Sequence, residues 1–169
     1  MIKTDLEKRM THYFFSIIIH KVRVFRMGLK LMQFCTFEER IYLFFRLLVH
    51  DFSKFNPKEF IPYYYFYRKY KNNRNEWVQY LYDNAWNRHQ KLNDHHWEYW
   101  ICQGKDGIKY LQIPTLPLLE MLADWGSFKM NFTDTYNLWY LSERDKMRIN
   151  VGTQFRIEEF FRKLKAWES

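Results

Sequence analysis

Asp124 sits in an apolar run, among Leu118, Leu119, Met121, Leu122, Ala123 and Trp125, that reads as a buried helix. An unpaired carboxylate is costly in such a place, so the fold must bring a cation or a strong hydrogen-bond network to it. Glu120, one turn earlier on a similar face, is an outer-shell partner, an additional ligand, or a surface acid near a helix start. The side chains able to answer Asp124 are spread along the chain as His20, His50-Asp51, His89 and His95-His96. Neutral imidazole and carboxylate together hold divalent metals such as Mn, Fe and Zn.

His50-Asp51-Phe52-Ser53-Lys54 falls at the expected end of a helix, directly before a loop. Ligands at a helix terminus can project into a cavity while the same helix packs the core. Asp51 can bridge two cations through its two oxygens, His50 offers one nitrogen, and Lys54 can meet a phosphate oxygen. The plainer alternative is that His50 caps helix carbonyls and Asp51 starts a turn. His89 follows Leu81, Tyr82, Ala85 and Trp86 at helical spacing, which suits either a core histidine or a ligand. The turn at Asn93-Asp94 can bring a further imidazole alongside it. Adjacent side chains diverge, so one of His95 and His96 is the expected ligand and the other an outer-shell or substrate contact. His20 takes an inward position between Ile19 and Val22, whereas His12 has no partner pattern. Glu59 and Asn93 join Glu120 as candidates for the outer shell or for substrate.

Five Gly and four Pro in 169 residues argue against a turn-rich β fold, and the apolar periodicity is helical. A first helix is expected over Asp5 to Phe34, with Phe15, Ile18, Ile19, Val22, Phe25 and Leu29 among its apolar positions. A second, Thr36 to His50, carries Ile41, Phe44, Phe45 and Leu48, and Thr36 with Glu39 has capping-box spacing. Asn56-Pro57-Lys58-Glu59 starts a third that should run to Tyr70, and a fourth should cover Glu76 to Leu92. A short aromatic segment from His95 to Ile101, a loop at Gly104–Gly107 and an extended pair over Ile108 to Ile113 should follow. Helices are then expected over Thr115 to Phe128, Asp134 to Arg148 and Gln154 to Trp167. The expected fold is all-α, a single domain over 1–169 with about six or seven helices, residues 20–125 holding the motifs and helices within 134–167 completing the bundle.

A formal charge of +8 favours anionic partners, although the basic residues are scattered as on solvated helix faces. Cys35 and Cys102 lack CxxC spacing, which implies neither a disulfide framework nor a thiolate zinc site. The apolar run Tyr13 to Ile19 is too short for a bilayer and lacks a cleavage site, so a soluble, cytoplasmic protein with no membrane partner is expected. No nucleophile elbow or glycine-rich phosphate loop occurs. Tyr63-Tyr64-Tyr65, Trp97 and Trp100 can pack a core or stack on a base.

The ordered series His20, His50-Asp51 and Asp124 resembles the HD-domain metal-dependent phosphohydrolase superfamily. His50-Asp51-Phe52-Ser53-Lys54 is similar to the HD-x-G-K segment of its HD-GYP branch, with Ser53 in place of glycine. His89 and His95-His96 lie closer together than the corresponding histidines of that branch, and the GYP tripeptide is missing. The runs Ala85-Trp86-x-x-His89, Asn93-x-His95-His96-Trp97-x-Tyr99-Trp100 and Glu120-Met121-x-Ala123-Asp124-Trp125 extend the likeness to an uncharacterised HD-like family of bacteria and viruses. The resemblance implies an HD-type helical bundle with one or two divalent metals (Mn, Fe, Co, Ni, Zn or Mg). His20, His50, Asp51 and Asp124 would hold the first metal, and Asp51 would bridge to a second held by His89 and by His95 or His96. A metal-activated water would attack phosphorus in line and Lys54 would stabilise the developing charge. The implied substrate is a nucleotide or related phosphate ester, monoester or diester, and a viral source would place the protein in the host cytoplasm. Two alternatives remain at this point: an HD-type di-iron oxygenase, and a non-enzymatic nucleic-acid-binding module with a structural metal. Oligomeric state is not legible in the sequence.

Overall fold

A computed structural model describes residues 4–129 and 140–168. Helix α1 (Asp5–Leu31) starts from a capping box in which Thr4 and Glu7 satisfy each other's backbone amides. It ends in a 3-10 turn, Met32–Phe34. Helix α2 (Phe37–Val49) starts from the expected box between Thr36 and Glu39. Such a cap contributes about 1 kcal/mol and fixes where each helix begins. After a 3-10 turn at Phe52–Phe55, α3 (Pro57–Tyr64) begins with Asn56 accepting from the Lys58 amide and Pro57 in the first turn. A π-helical turn, Tyr65–Lys69, completes the expected run to Tyr70. Helix α4 spans Glu76–Leu92 behind an Asn75 cap.

The chain is then mostly, but not wholly, helical. A 3-10 turn at Trp97–Trp100 leads into a hairpin, β1 (Ile101–Gly104) and β2 (Gly107–Tyr110), paired antiparallel from Ile101↔Tyr110 to Gly104↔Gly107. The extended pair expected over Ile108 to Ile113 is therefore displaced upstream. Gly104 and Gly107 flank the turn instead of bounding a loop, and Gly107 supplies the positive φ of 104° that the turn needs. Helix α5 (Thr115–Lys129) and a C-terminal α6 (Val151–Glu168) follow, the latter starting three residues before the expected Gln154. The helix expected over Asp134 to Arg148 falls partly outside the described residues; residues 140–143 are helical and Arg144–Lys146 form a 3-10 turn.

Helix α1 is the spine: it packs along α5 and against α2, while α3 and α4 form an adjoining pair. The core it shares with α2, α5 and α6 includes Val24, Met27, Leu31, Leu43, Leu47, Leu118, Leu122 and Ile157. A second cluster joins Tyr13 and Ile17 of α1 to Tyr63, Tyr64 and Ala85 of α3 and α4. His20 lies on α1 between these two apolar clusters. The start of α5 is tied to α6, where the Thr153 hydroxyl accepts from the Ile113 amide and Arg156 donates to the Ile113 carbonyl and the Thr115 hydroxyl.

The inward faces of α1 and α2 differ from the expected ones. Phe15, Ile18, Ile19, Val22, Leu29, Ile41, Phe44, Phe45 and Leu48 are exposed, and Tyr13, Ile17, Val24, Met27, Leu43 and Leu47 are buried in their place. Both faces of these helices are apolar, so spacing alone does not choose between them. The choice follows from close packing at Gly28, where an added Cβ would lie 2.3 Å from Leu47 Cδ1. Leu47 is itself 1% exposed and has no room to yield. Gly28→Ala should therefore destabilise the fold by about 1–3 kcal/mol of overpacking, less up to about 1 kcal/mol of gained helix propensity. Urea denaturation checks this, and in a Leu47→Ala background the added cost of Gly28→Ala should be smaller because the two side chains then share the space.

Candidate metal centre

Helix α2 ends at His50, and the amine of Lys21 on α1 donates to the carbonyls of Leu48 and His50. The helix end is thus capped from outside, which frees the His50 ring to turn inward. Asp51 follows with φ 55° and ψ 22°, the left-handed conformation that no other non-glycine among the described residues adopts. Asp tolerates this region better than most residues, at a cost of about 1–2 kcal/mol. The turn is held where the Lys54 amide donates to the Asp51 carbonyl, and it aims the Asp51 carboxylate into the interior.

Four imidazoles from four segments approach that carboxylate. His20 Nε2 and His50 Nε2 each lie 3.5 Å from Asp51 Oδ2, and the Lys54 amine pairs with the same oxygen. His89 Nε2 is 3.1 Å and His95 Nε2 3.4 Å from Asp51 Oδ1. Asp124 arrives from α5, with Oδ1 3.1 Å from His20 Nε2 and 3.8 Å from His50 Nε2. His96 is half-buried, and donor atoms of Asp51, His89, His95 and His96 all lie within 4.8 Å of one another. The same holds for His20, His50 and Asp51, and for His50, His95 and Asp124. The fold therefore brings His20, His50, Asp51, His89, His95, His96 and Asp124 together, and both members of the His95-His96 pair stand at the cluster where one was expected. His12 lies on the exposed N-terminal part of α1.

The opposite ring nitrogens are engaged. Glu120 Oε1 lies 2.9 Å from His50 Nδ1 and 3.2 Å from His95 Nδ1, and its other oxygen is 2.8 Å from Arg46. Arg46 also pairs with Asp94, whose carbonyl accepts from Trp100 Nε1 at 2.7 Å. Glu59, fully buried, holds His89 Nδ1 at 2.9 Å and accepts from the Ser53 hydroxyl at 2.8 Å. Asn93 donates to Ser53 Oγ and to the His89 carbonyl, tying the end of α4 to the turn after Asp51. Ser127 lies 3.3 Å from His20 Nδ1. Glu59, Asn93 and Glu120 thus stand behind the imidazoles instead of facing the cavity. Ser53, which the motif marks only as a replacement for glycine, joins them with Arg46 and Ser127, which no apolar pattern or motif spacing marks as site residues.

The inward-facing atoms show the reverse. His20, His50, His89, His95 and His96 Nε2, together with Asp51 Oδ1 and Asp124 Oδ1, are buried and make no hydrogen bond. Several lie near 3 Å from one another without hydrogen-bond alignment. Ligand atoms about 2.0–2.2 Å from a shared ion stand about 3 Å apart when at right angles. An imidazole that ligates through one nitrogen and donates its other N–H to a carboxylate is the usual metal-site arrangement. The donor set fits a divalent ion, and its wealth of imidazole favours Mn, Fe, Co, Ni or Zn over Mg, which prefers oxygen ligands and water.

The charges of the cluster are divided. Burial alone would raise the Asp51 carboxyl, but His50, Lys54, His20 and His89 packed around it hold it well below the usual carboxylate range. Burial likewise opposes ionisation of Glu120, yet its bonds to His50 and His95 bring it down to about 2. Burial keeps His50 low and His96 well below its usual value, which favours the neutral, ligating imidazole. Burial also pulls on His20 and His95, but Asp124 and Asp51 raise His20, and Asp51 and Glu120 lift His95 to about 10, so an ion would have to displace protons from those two rings.

Above the cluster lies a cleft of two lobes, of 530 Å³ and 490 Å³. Both are lined by Lys54, Tyr67, Trp86 and Phe128; His20 and Arg23 line the first, His96 and Asp124 the second. Of the aromatic residues expected either to pack or to stack, Tyr63 and Tyr64 belong to the core, Trp100 packs against it, and Trp97 also lines the second lobe.

A family model described as a family of unknown function (DUF5662) matches residues 9–163. No curated protein and no solved structure matches the chain.

Replacing Glu120 or Glu59 with Gln should weaken binding of Mn or Zn by about 10- to 100-fold without loss of the fold. Equilibrium dialysis against a metal indicator, with circular dichroism as the control, reads this. Unchanged affinity would mean that the two carboxylates only fill space behind the rings.

Proposed function

The chain belongs to this family of unknown function, so the site alone must suggest an activity, and we propose a metal-dependent phosphohydrolase of the HD type acting on a nucleotide or related phosphate ester. The observation that carries the reading is the division of labour in the histidine rings. Inward Nε2 atoms and two carboxylate oxygens converge without hydrogen-bond partners, while the outward Nδ1 atoms of His50, His89 and His95 rest on Glu120 and Glu59. The resemblance of the His50-Asp51-x-Ser53-Lys54 run to HD enzymes supports the same assignment.

In this reading His20, His50, Asp51 and Asp124 would hold one divalent cation, and Asp51, His89, His95 and His96 would hold a second. A divalent cation at such a site supplies Lewis acidity and lowers the pKa of water. The protein's own residues do the rest. Lys54, placed where the two lobes meet and paired with Asp51, presents its ammonium to the phosphoryl oxygens. Arg23, exposed at the wall of the first lobe, adds a second positive charge that attracts an anionic ester. Among the described residues no helix is long and apolar enough to cross a membrane, and we place the enzyme in the cytoplasm.

The test joins elemental analysis of the purified protein to phosphate release from a panel of nucleotides, cyclic nucleotides and simple esters with Mn, Fe, Co, Ni or Zn. Metal-loaded protein should release phosphate or cleave a diester. Asp51→Ala should lose both bound metal and activity. Lys54→Met should keep its metal and lose about 10²-fold in kcat. A fully metal-loaded protein inert on the whole panel would overturn the reading. Two irons per chain with oxygen consumption would instead identify an oxygenase, which the same nitrogen-rich donor set could serve.

A further inference from the structure

The two lobes of the cleft are not alike. The second, beyond His96 and Asp124, has walls of Tyr82, Trp86, Trp97 and Trp125, and Glu98 also lines it. Glu98 lies in the 3-10 turn that follows the His95-His96 pair, so the turn that positions the histidines also positions this carboxylate. Glu98 Oε2 is buried and has no hydrogen-bond partner. Both Glu120 oxygens are taken up by histidine and arginine, and although Glu59 Oε1 also makes no hydrogen bond, it lies 3.4 Å from the Arg88 guanidinium while Glu59 Oε2 holds His89 and Ser53. Nothing in the metal centre or in the reading of its chemistry uses Glu98.

A buried acceptor without a donor is unfavourable, and a ligand bringing an N–H or O–H to it recovers the lost interaction. Aromatic walls add a preference for a flat ring, which stacks on indole and phenol faces. We infer that this lobe is a subsite for a flat, nitrogen-bearing ring with N–H donors, the chemistry of a purine base, and that Glu98 selects it. The inference rests on the phosphohydrolase reading only for what lies next door: a phosphoryl group at Lys54 and the metal cluster, with the ring of the same ester in the lobe. Glu98 itself is a specificity residue, acting on the ring and not on phosphorus.

The two claims can fail separately. Guanosine, which carries the ring and its donors but no phosphate, is titrated into metal-loaded protein while the fluorescence of the lobe's tryptophans is followed. It should bind, and free ribose should not. Glu98→Gln, close to the original in shape, should weaken guanosine binding at least about 10-fold while metal content stays unchanged. With a guanine nucleotide as substrate, the same variant should raise KM by a similar factor and leave kcat, whereas the KM for glycerol phosphate should not move. Absence of guanosine binding, binding that ignores Glu98→Gln, or equal binding of ribose would each overturn the subsite, whatever the hydrolysis assays give. Glu98-dependent guanosine binding in a protein that hydrolyses nothing would keep the subsite and remove the phosphohydrolase.

Discussion

The carboxylate of Asp51 is where the structure is most constrained. It is fully buried, it stands on a left-handed backbone, and its two oxygens are approached by His20, His50, His89, His95 and Lys54. Burial of one negative charge is tolerable only with positive or polarisable groups on every side. Those groups come from α1, the end of α2, α4 and the turn after α4. The relative placement of these elements is thereby fixed by a polar requirement as much as by the two apolar clusters flanking His20.

Around this centre the polar groups form two layers with different tasks. The inner layer leaves its Nε2 and carboxylate oxygen atoms without hydrogen bonds, whereas the outer layer engages the opposite ring nitrogens. Glu120 spends one oxygen on two imidazoles and the other on Arg46, and Glu59 joins His89 to Ser53. The outer contacts hold the rings in one orientation and make the imidazoles stronger donors. Lys54 belongs to neither layer, since it faces the cleft while paired to Asp51.

Local rules made much of this legible. The Thr36/Glu39 box and the Asn56-Pro57 start are short-range signals, and α2 and α3 begin where they say. The buried helix around Asp124 announced a polar partner through composition alone. Orientation was harder. Residues of α1 and α2 are apolar on both faces, and which face turns inward depends on Gly28 meeting Leu47 across the helix pair, a contact that sequence spacing does not encode. The hairpin was misplaced because Ile101 and Cys102 continue an aromatic stretch and carry no strand signature of their own. Glu98 carries no signal of its own for a related reason: one acid in the aromatic run Trp97-Glu98-Tyr99-Trp100 looks like a surface residue until the cleft forms around it. Arg46 and Ser53 are ordinary residues whose role exists only through the fold, Arg46 through Glu120 and Ser53 through Glu59, His89 and Asn93.

The chain separation of the site's members bears on how the molecule is made. Lys54 and Asp51 are three residues apart, and Ser53 and Glu59 six, so this part of the centre can form as soon as α2 and α3 exist. Ser127 and His20, by contrast, are 107 residues apart. Long-range closure is entropically expensive and comes late in folding. During synthesis the N-terminal helix would therefore wait for α5 before the ring of ligands is complete. Under the proposed metal reading, an ion arriving earlier would meet a half-built, weaker site, and one arriving afterwards would lock the first and last parts of that ring together. Metal supply would then act as a timer on maturation, separating chains that are merely helical from chains that are finished.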